Sequence, residues 1–416
     1  MNPKTENPDS FIEKPLDHLR VDAQTMVDKC IECGSCYVDC AFGNYGDDHE
    51  QCQKWIRESN DFLTGKIKNI SRDLVEANFK CAECNRCYYS CPEAIYRRHG
   101  NMMMKHMIGN PLRHRINIHP YSNWHVKQPA IEKLRMSNWK KEEKDWYNQL
   151  NNLKPAEVLL YHGCYVYLQA EQCMKLEQLL DAAGVTYSSV GKLEYCCGTF
   201  AFYRGHDDMK TIKPRLVDMV QRINPKCIIT NCGHCYNAMS DLVNLLDVSE
   251  LKDQHRPEVR HAVEELLDLN IAKRLEFAHL GTNYTIHDSC NFRTLQDEQG
   301  PLRKFLRRIG GIHEMLSHGK NGRCCGDVSY YYAPEHIGSN NRKIKVREFV
   351  ASGADQMVTV CAGCYEHYHT KPQLHPVDLI DVAYKAFAVA RAEDLEERKT
   401  PITKWENMAP VIEGED

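Results

Sequence analysis

The sequence predicts an α+β chain, a helical N-terminal module followed by two repeats of one α/β unit, and three observations carry that expectation. Ten cysteines form two copies of a five-cysteine pattern: Cys164, Cys196-Cys197-Gly198, Cys232 and Cys235, then Cys290, Cys324-Cys325-Gly326, Cys361 and Cys364. The offsets between copies stay nearly constant, 126 residues from Cys164 to Cys290, 128 from Cys196 to Cys324 and 129 from Cys232 to Cys361, which is the mark of an internal repeat. At Pro155 the texture changes, from cysteine runs set in helical pattern to alternating strands and helices.

Taken in order, residues 1–22 are polar and read as a flexible arm. Residues 23–115 form the cysteine-run module, with helical pattern in DHEQCQKWIRESNDFLTGKI and SRDLVEANF. Residues 116–154, with Tyr121, Trp124, Trp139 and Trp146 among many charges, read as a linker and a packing helix. The first repeat, 155–278, opens with the apolar strand AEVLLYHGC. The helix AEQCMKLEQLLDAAG follows, closed by Gly184, then the strand VTYSSVG. KCIITNCGHC is a further strand whose Cys-x-x-Cys leads into the helix YNAMSDLVNLLD. The second repeat, 279–395, runs through YTIHDSC, LRKFLRRIGG and QMVTVCAGC in the same order, and HPVDLIDVA from His375 echoes HAVEELLDL from His261. Residues 396–416 are a tail. The cysteines of each repeat thus sit at strand ends and helix starts, where open α/β sheets collect ligands.

The 416 residues suffice for several domains, and 42% of them are hydrophobic, enough for a sizeable core. The polar start has no apolar h-region, so the 21 cysteines are not read as disulfides. No run of about eighteen apolar residues is present to span a bilayer. A net charge of −4 points to no nucleic-acid partner. Residues 93–145 are locally basic, with Arg97, Arg98, Lys105, Arg113, Arg115, Lys127, Lys133, Arg135, Lys140, Lys141 and Lys144 interleaved with five histidines. That stretch reads first as a solvated helical face, second as a docking surface for an acidic or membrane-bound partner.

Cys30-x-x-Cys33-x-x-Cys36-x-x-x-Cys40 and Cys81-x-x-Cys84-x-x-Cys87-x-x-x-Cys91-Pro92 both match the bacterial two-cluster ferredoxin run. In that arrangement the fourth cysteine of each run ligates the other cube. Cys30, Cys33, Cys36 and Cys91 are therefore expected to hold one 4Fe-4S cluster, and Cys81, Cys84, Cys87 and Cys40 the other. Cross-ligation would keep the two cubes within roughly 12 Å, a distance suited to a wire. Each C-terminal set has five thiolates, one more than a zinc ion or a cubane takes, so a larger irregular cluster is the natural occupant. Cys52, Cys173 and Cys227 fall outside every pattern and read as buried structural thiols.

Two complete Cys-Cys-Gly sets behind a two-cluster ferredoxin module resemble the D-type catalytic subunits of heterodisulfide reductases, themselves similar to a fusion of the soluble enzyme's C and B subunits. The resemblance spans about residues 25–395 and rests on eighteen cysteines. It implies two noncubane 4Fe-4S clusters, one on Cys164, Cys196, Cys197, Cys232 and Cys235, the other on Cys290, Cys324, Cys325, Cys361 and Cys364. It further implies reduction of the coenzyme M–coenzyme B disulfide to two thiols between those clusters. The implied partner is an electron-donating protein, a b-type cytochrome or a flavin-containing subunit, in a hetero-oligomer that is cytoplasmic or peripheral on the inner membrane face. His162, His234 and Asp327, beside ligand cysteines, are candidates to donate protons or orient the substrate. The alternative is a non-catalytic electron-transfer subunit of a flavin dehydrogenase or a sulfite-reduction complex. Completeness of both five-cysteine sets favours catalysis.

Overall fold

The computed structural model describes residues 15–40, 48–112, 136–199, 209–245, 255–292, 299–326, 337–369 and 371–392. Residues 1–14 of the expected arm, most of the expected linker, the tail from 396, and Asp327 lie outside them. Residues 15–22 of the expected flexible arm belong to helix α1 (Pro15–Lys29), which buries Ala23 and Met26.

The N-terminal module is all-helical among the described residues. Short helices α2 (Ser35–Val38) and α5 (Arg86–Ser90) each follow a Cys-x-x-Cys, while α3 (His49–Leu63), α4 (Arg72–Lys80) and α6 (Arg97–Leu112) frame them. Ser71 caps α4 by accepting from Leu74 N, and Asp48 caps α3 through Gln51 N, the side-chain chemistry that satisfies orphan donors of a first turn. Trp55, Ile56, Phe62, Leu74 and Met104 form this module's own apolar core. Beyond the undescribed part of the linker, the expected packing helix is α7 (Lys141–Gln149), whose Trp146 and Tyr147 are buried against the first repeat.

Each repeat is a four-stranded, all-parallel sheet. The first runs β2 (Tyr187–Gly191), β1 (Val158–Gly163), β3 (Cys227–Thr230), β4 (Glu258–His261); the second runs β6 (Gly311–Ile312), β5 (Asn283–His287), β7 (Gln356–Thr359), β8 (Pro376–Asp378). The permutation is identical, with register Leu159↔Ile228 in the first sheet answered by Thr285↔Met357 in the second. Helices cover both faces, so strand residues are buried whichever way they point, and β1 and β3 read as continuous apolar runs. In the first repeat these are α8 (Ala170–Ala182), α9 (Met209–Ile223), α10 (Gly233–Leu245) and α11 (Ala262–Ile271); in the second, α12 (Pro301–Ile309), α13 (Ile337–Ser352), α14 (Ala362–Tyr368) and α15 (Leu379–Ala390).

Leu160 and Ile229 of the first sheet share one core with Ile286 and Val358 of the second, filled by Leu266, Phe305, Leu306 and Ala383. Each such side chain contributes about 1.5–3 kcal/mol of burial, so the two repeats fold as one body. Equivalent N-caps close the pattern: His261 Nδ1 accepts from Val263 N and Asp378 Oδ1 from Ile380 N. Strand order reverses between β1 and β3, and again between β5 and β7. Such switch points open a crevice at the carboxyl ends of the strands. Cys164 follows β1 and Cys232 follows β3; Cys290 and Cys361 occupy the same places in the second sheet.

Candidate metal centres

Two separate cavities in the N-terminal module are lined by the two cross-paired sets of four. Cys30, Cys33, Cys36 and Cys91 line one, and Cys40, Cys81, Cys84 and Cys87 line the other, with Cys36 bordering both. The cavities thus group the cysteines in the same two sets of four that the spacing suggested. Backbone torsions repeat as well: Glu32 and Gly34 in the first run, Glu83 and Asn85 in the second, all have positive φ, curling each loop around its cavity. Burial pushes the Cys36 thiol up to about 11, partly offset by Arg97, and drives Cys81 and Cys87 upward too.

On α6 the expectation of a solvated basic face fails, whereas Lys140 and Lys141 are exposed as expected and Arg113, Arg115, Lys127, Lys133 and Arg135 lie outside the described residues. On α6, Arg97, Arg98, His99 and Lys105 are all buried. Arg97 borders both cavities and donates to Asn60 Oδ1 at 3.3 Å and to Ser59 Oγ. Lys105 Nζ lies 2.6 Å from Glu83 Oε1 and donates to Cys81 O at 2.8 Å. Positive charge there offsets the negative charge that four deprotonated thiols would concentrate. A mixed run of charges reads as surface in a sequence; only its position opposite two cysteine runs could have signalled otherwise.

The ten C-terminal cysteines form one chain of neighbouring thiols. Cys164 meets Cys196, Cys196 meets Cys197, Cys197 lies 3.8 Å from Cys235, and Cys235 adjoins Cys232. In the second repeat Cys290 lies 3.8 Å from Cys324, which adjoins Cys325; Cys364 joins Cys325 to Cys361. The two halves touch where Cys232 meets Cys361. Nine of the ten are buried and Cys290 is half-buried. Hydrogen bonds from Cys196 and Cys235 hold Cys197 well below the usual thiol range, and those from Cys232 and Cys364 do the same for Cys361.

The Cys-Cys-Gly motif has a direct physical reading. Gly198 and Gly326 adopt φ of 74° and 89°, and the turn lets Gly198 N donate to Cys196 Sγ at 3.2 Å and Gly326 N to Cys324 Sγ at 3.5 Å. At Gly163, also with positive φ, a Cβ would stand 2.8 Å from Cys235 Sγ, so only glycine lets β1 reach the site.

Of the non-cysteine candidates, His234 is at the junction, its Nδ1 3.8 Å from Cys361 Sγ and within a buried trio with Cys232 and Cys361. His162 is turned away. Strand alternation sends Tyr161 toward the thiols and His162 to the opposite face, where its Nε2 lies 3.0 Å from Glu177 and Cys173 stands close to its ring. Those two partners outweigh burial and raise its pKa to about 10. Cys52 and Cys173 are buried as expected, but Cys227 is only half-buried, at the start of β3. His287, unremarked in the sequence, forms a buried trio with Cys325 and Cys364.

The two modules are joined at Arg86, between Asn85 and Cys87. Its Nη1 donates to Asn321 O at 2.9 Å, on the loop leading to Cys324, while its Nε pairs with Asp39 at 3.2 Å. Cys84 faces Cys324 across this seam closely enough to disfavour its charge.

Comparison with known proteins agrees with this geometry. The cysteine-rich domain family named CCG matches residues 158–240 and 284–367, so the chain carries two such domains. It is 23% identical over 379 residues to an uncharacterized iron-sulfur protein of Methanococcus maripaludis, covering 87% of this chain and 72% of that one. It is 24% identical to the EtfAB:quinone oxidoreductase of Syntrophomonas wolfei, covering 72% of this chain and 48% of that protein. Similarity to the D-type subunit of the dihydromethanophenazine:CoB–CoM heterodisulfide reductase of Methanosarcina barkeri is 23%, over 81% of this chain and 87% of that protein. The chain thus carries two cysteine-rich CCG domains and is homologous to the D-type subunits of heterodisulfide reductases. No helix among the described residues is long and apolar enough to cross a membrane.

Proposed function

We propose that this chain is the disulfide-cleaving subunit of a heterodisulfide reductase, taking electrons from a partner subunit and converting a mixed disulfide, such as that of coenzyme M and coenzyme B, to two thiols. The balance is RS–SR′ plus two electrons and two protons giving RSH and R′SH. The observation that carries the reading is the unbroken run of ten thiols through both complete sets, joined at Cys232 and Cys361. Both halves can then act on one bond.

In this reading Cys30, Cys33, Cys36 and Cys91, and Cys40, Cys81, Cys84 and Cys87, each hold a cubane 4Fe-4S cluster, and each five-cysteine set holds a noncubane one. The donor sets fit: all-thiol, soft and enclosed, with Arg97 and Lys105 buried beside the N-terminal sets. When bound, such clusters supply electrons singly and a soft iron surface for sulfur. Arg86 holds the second N-terminal set against the second repeat, so electrons held there would pass on beside Cys324. Gly198, Gly326 and Thr199 orient the thiols, Thr199 Oγ1 lying 3.4 Å from Cys197 Sγ. His234, at the junction, is placed to orient a substrate held there. The donor is a partner subunit of the b-type cytochrome or flavin class, which would bring the chain to the inner membrane face. Similarity to a quinone oxidoreductase supports a second reading, an electron-transfer subunit between a flavoprotein and a quinone.

Anaerobically reconstituted protein is expected to hold roughly sixteen irons, to oxidise a reduced dye when given the mixed disulfide, and to lose that turnover in both Cys197→Ala and Cys325→Ala. Dye oxidation by a quinone analogue but not by any disulfide would establish the second reading instead. Zinc, or only about eight irons, would overturn the cofactor assignment for the C-terminal cysteines.

A further inference from the structure

Tyr368, the last residue of α14, is completely buried, and its hydroxyl oxygen has no hydrogen-bond partner among the described residues. It is close enough to Cys325, Cys364 and Cys324 for each to disfavour its ionisation, while Arg342 acts on it in the opposite sense. Its ring packs edge-on against His287 with centroids 4.9 Å apart, and His287 is in the trio with Cys325 and Cys364. A buried hydroxyl left without a partner costs about 1–3 kcal/mol, so its persistence beside a cysteine set points to an acceptor that the described residues do not supply. The first repeat has no equivalent. Four residues past Cys364 stands Tyr368; four past Cys235 stands Met239, which is buried but has no hydroxyl. Among the described residues, Tyr161 also stands at the thiol chain, but it already donates its hydroxyl to Tyr195 O.

We infer that Tyr368 is a positioning residue of the second site, its hydroxyl donating a hydrogen bond to a sulfur of the iron-sulfur group held by Cys290, Cys324, Cys325, Cys361 and Cys364, and so making that group easier to reduce than it would otherwise be. The inference rests on the cofactor reading above. Donated hydrogen bonds stabilise the added negative charge of the reduced state, which raises the reduction potential. The second site is also the one that faces Cys84, so the hydroxyl biases the first electron toward the half that receives it.

The test is Tyr368→Phe, which removes one oxygen and keeps the ring. Reconstituted full-length parent and variant are compared by iron and sulfide content, then by redox titration followed by electron paramagnetic resonance. Iron content should match, one C-terminal signal should become about tenfold harder to reduce, 59 mV for a one-electron couple, and the other should not move. Tyr368→Met, which installs the first repeat's residue, should give the same displacement. An unchanged potential at full iron content overturns the role of Tyr368 while leaving the cofactor reading intact. Loss of the second site's iron in both variants also overturns it, because the five thiols alone should then suffice. Absence of C-terminal iron in the parent would instead sink the cofactor reading on which the inference stands.

Discussion

The ion pair between Lys105 and Glu83 gives the sharpest test of how the N-terminal module is held. Both side chains are fully buried, 2.6 Å apart, and Glu83 sits between Cys81 and Cys84 with φ of 53°. At an effective dielectric of about 20, charges at that separation attract by about 6 kcal/mol, most of which offsets the cost of removing both ions from water. Replacing one partner leaves the other charged and unpaired, a loss of about 3–5 kcal/mol. Lys105→Met should therefore lower the stability of the anaerobic holoprotein by that amount in urea unfolding followed by circular dichroism. It should also free the Cys81–Cys84 loop, with loss of about four irons. The double variant Lys105→Met/Glu83→Gln should recover at least half of the stability, because neither charge remains buried. A single variant within about 1 kcal/mol of the parent would refute the argument, as would a double variant no better than the single.

Two further outcomes follow from the wire and from the caps. Cys84→Ser should cripple reduction by the physiological donor yet spare much of the activity with a small dye that reaches the C-terminal sites directly; equal loss with both donors would mean the N-terminal sites are structural only. His261 has a pKa lowered to about 4, chiefly by burial, and its neutral ring accepts from Val263 N and bonds Val360 O at 3.0 Å. Between that value and the ordinary 6.5 the unfolded chain binds a proton the folded chain does not, so stability rises with pH across the window and is lost as pH falls through it. His261→Gln should flatten this slope in unfolding titrations from pH 4 to 7, and an unaltered slope would refute the assignment.

The repeat and its alternation of strands and helices were legible because cysteine spacing and apolar runs are local signals. What escaped was what only three-dimensional proximity decides. β6 spans just Gly311–Ile312, too short for any pattern, and α1 begins inside a stretch whose polar composition reads as a loose arm. The buried Arg97 and Lys105 look like surface charge until the thiols they face are known. His162 lies two residues before Cys164, and His234 stands directly before Cys235. The alternation of β1 turns the first away, whereas the start of α10 leaves the second at the junction. That Cys232 rather than another thiol meets Cys361 depends on how the two sheets pack, which no spacing records.

The closeness of those ten thiols has a cost during biosynthesis. Sulfurs already 3.8 Å apart, at Cys197 with Cys235 and at Cys290 with Cys324, need only a small movement to form a covalent bond under oxidant. Cys232 and Cys361 could likewise be stitched across the halves. On the cofactor reading proposed above, a newly made chain without its clusters would be open to oxidation at these pairs, and loading the sites in reducing conditions would protect them.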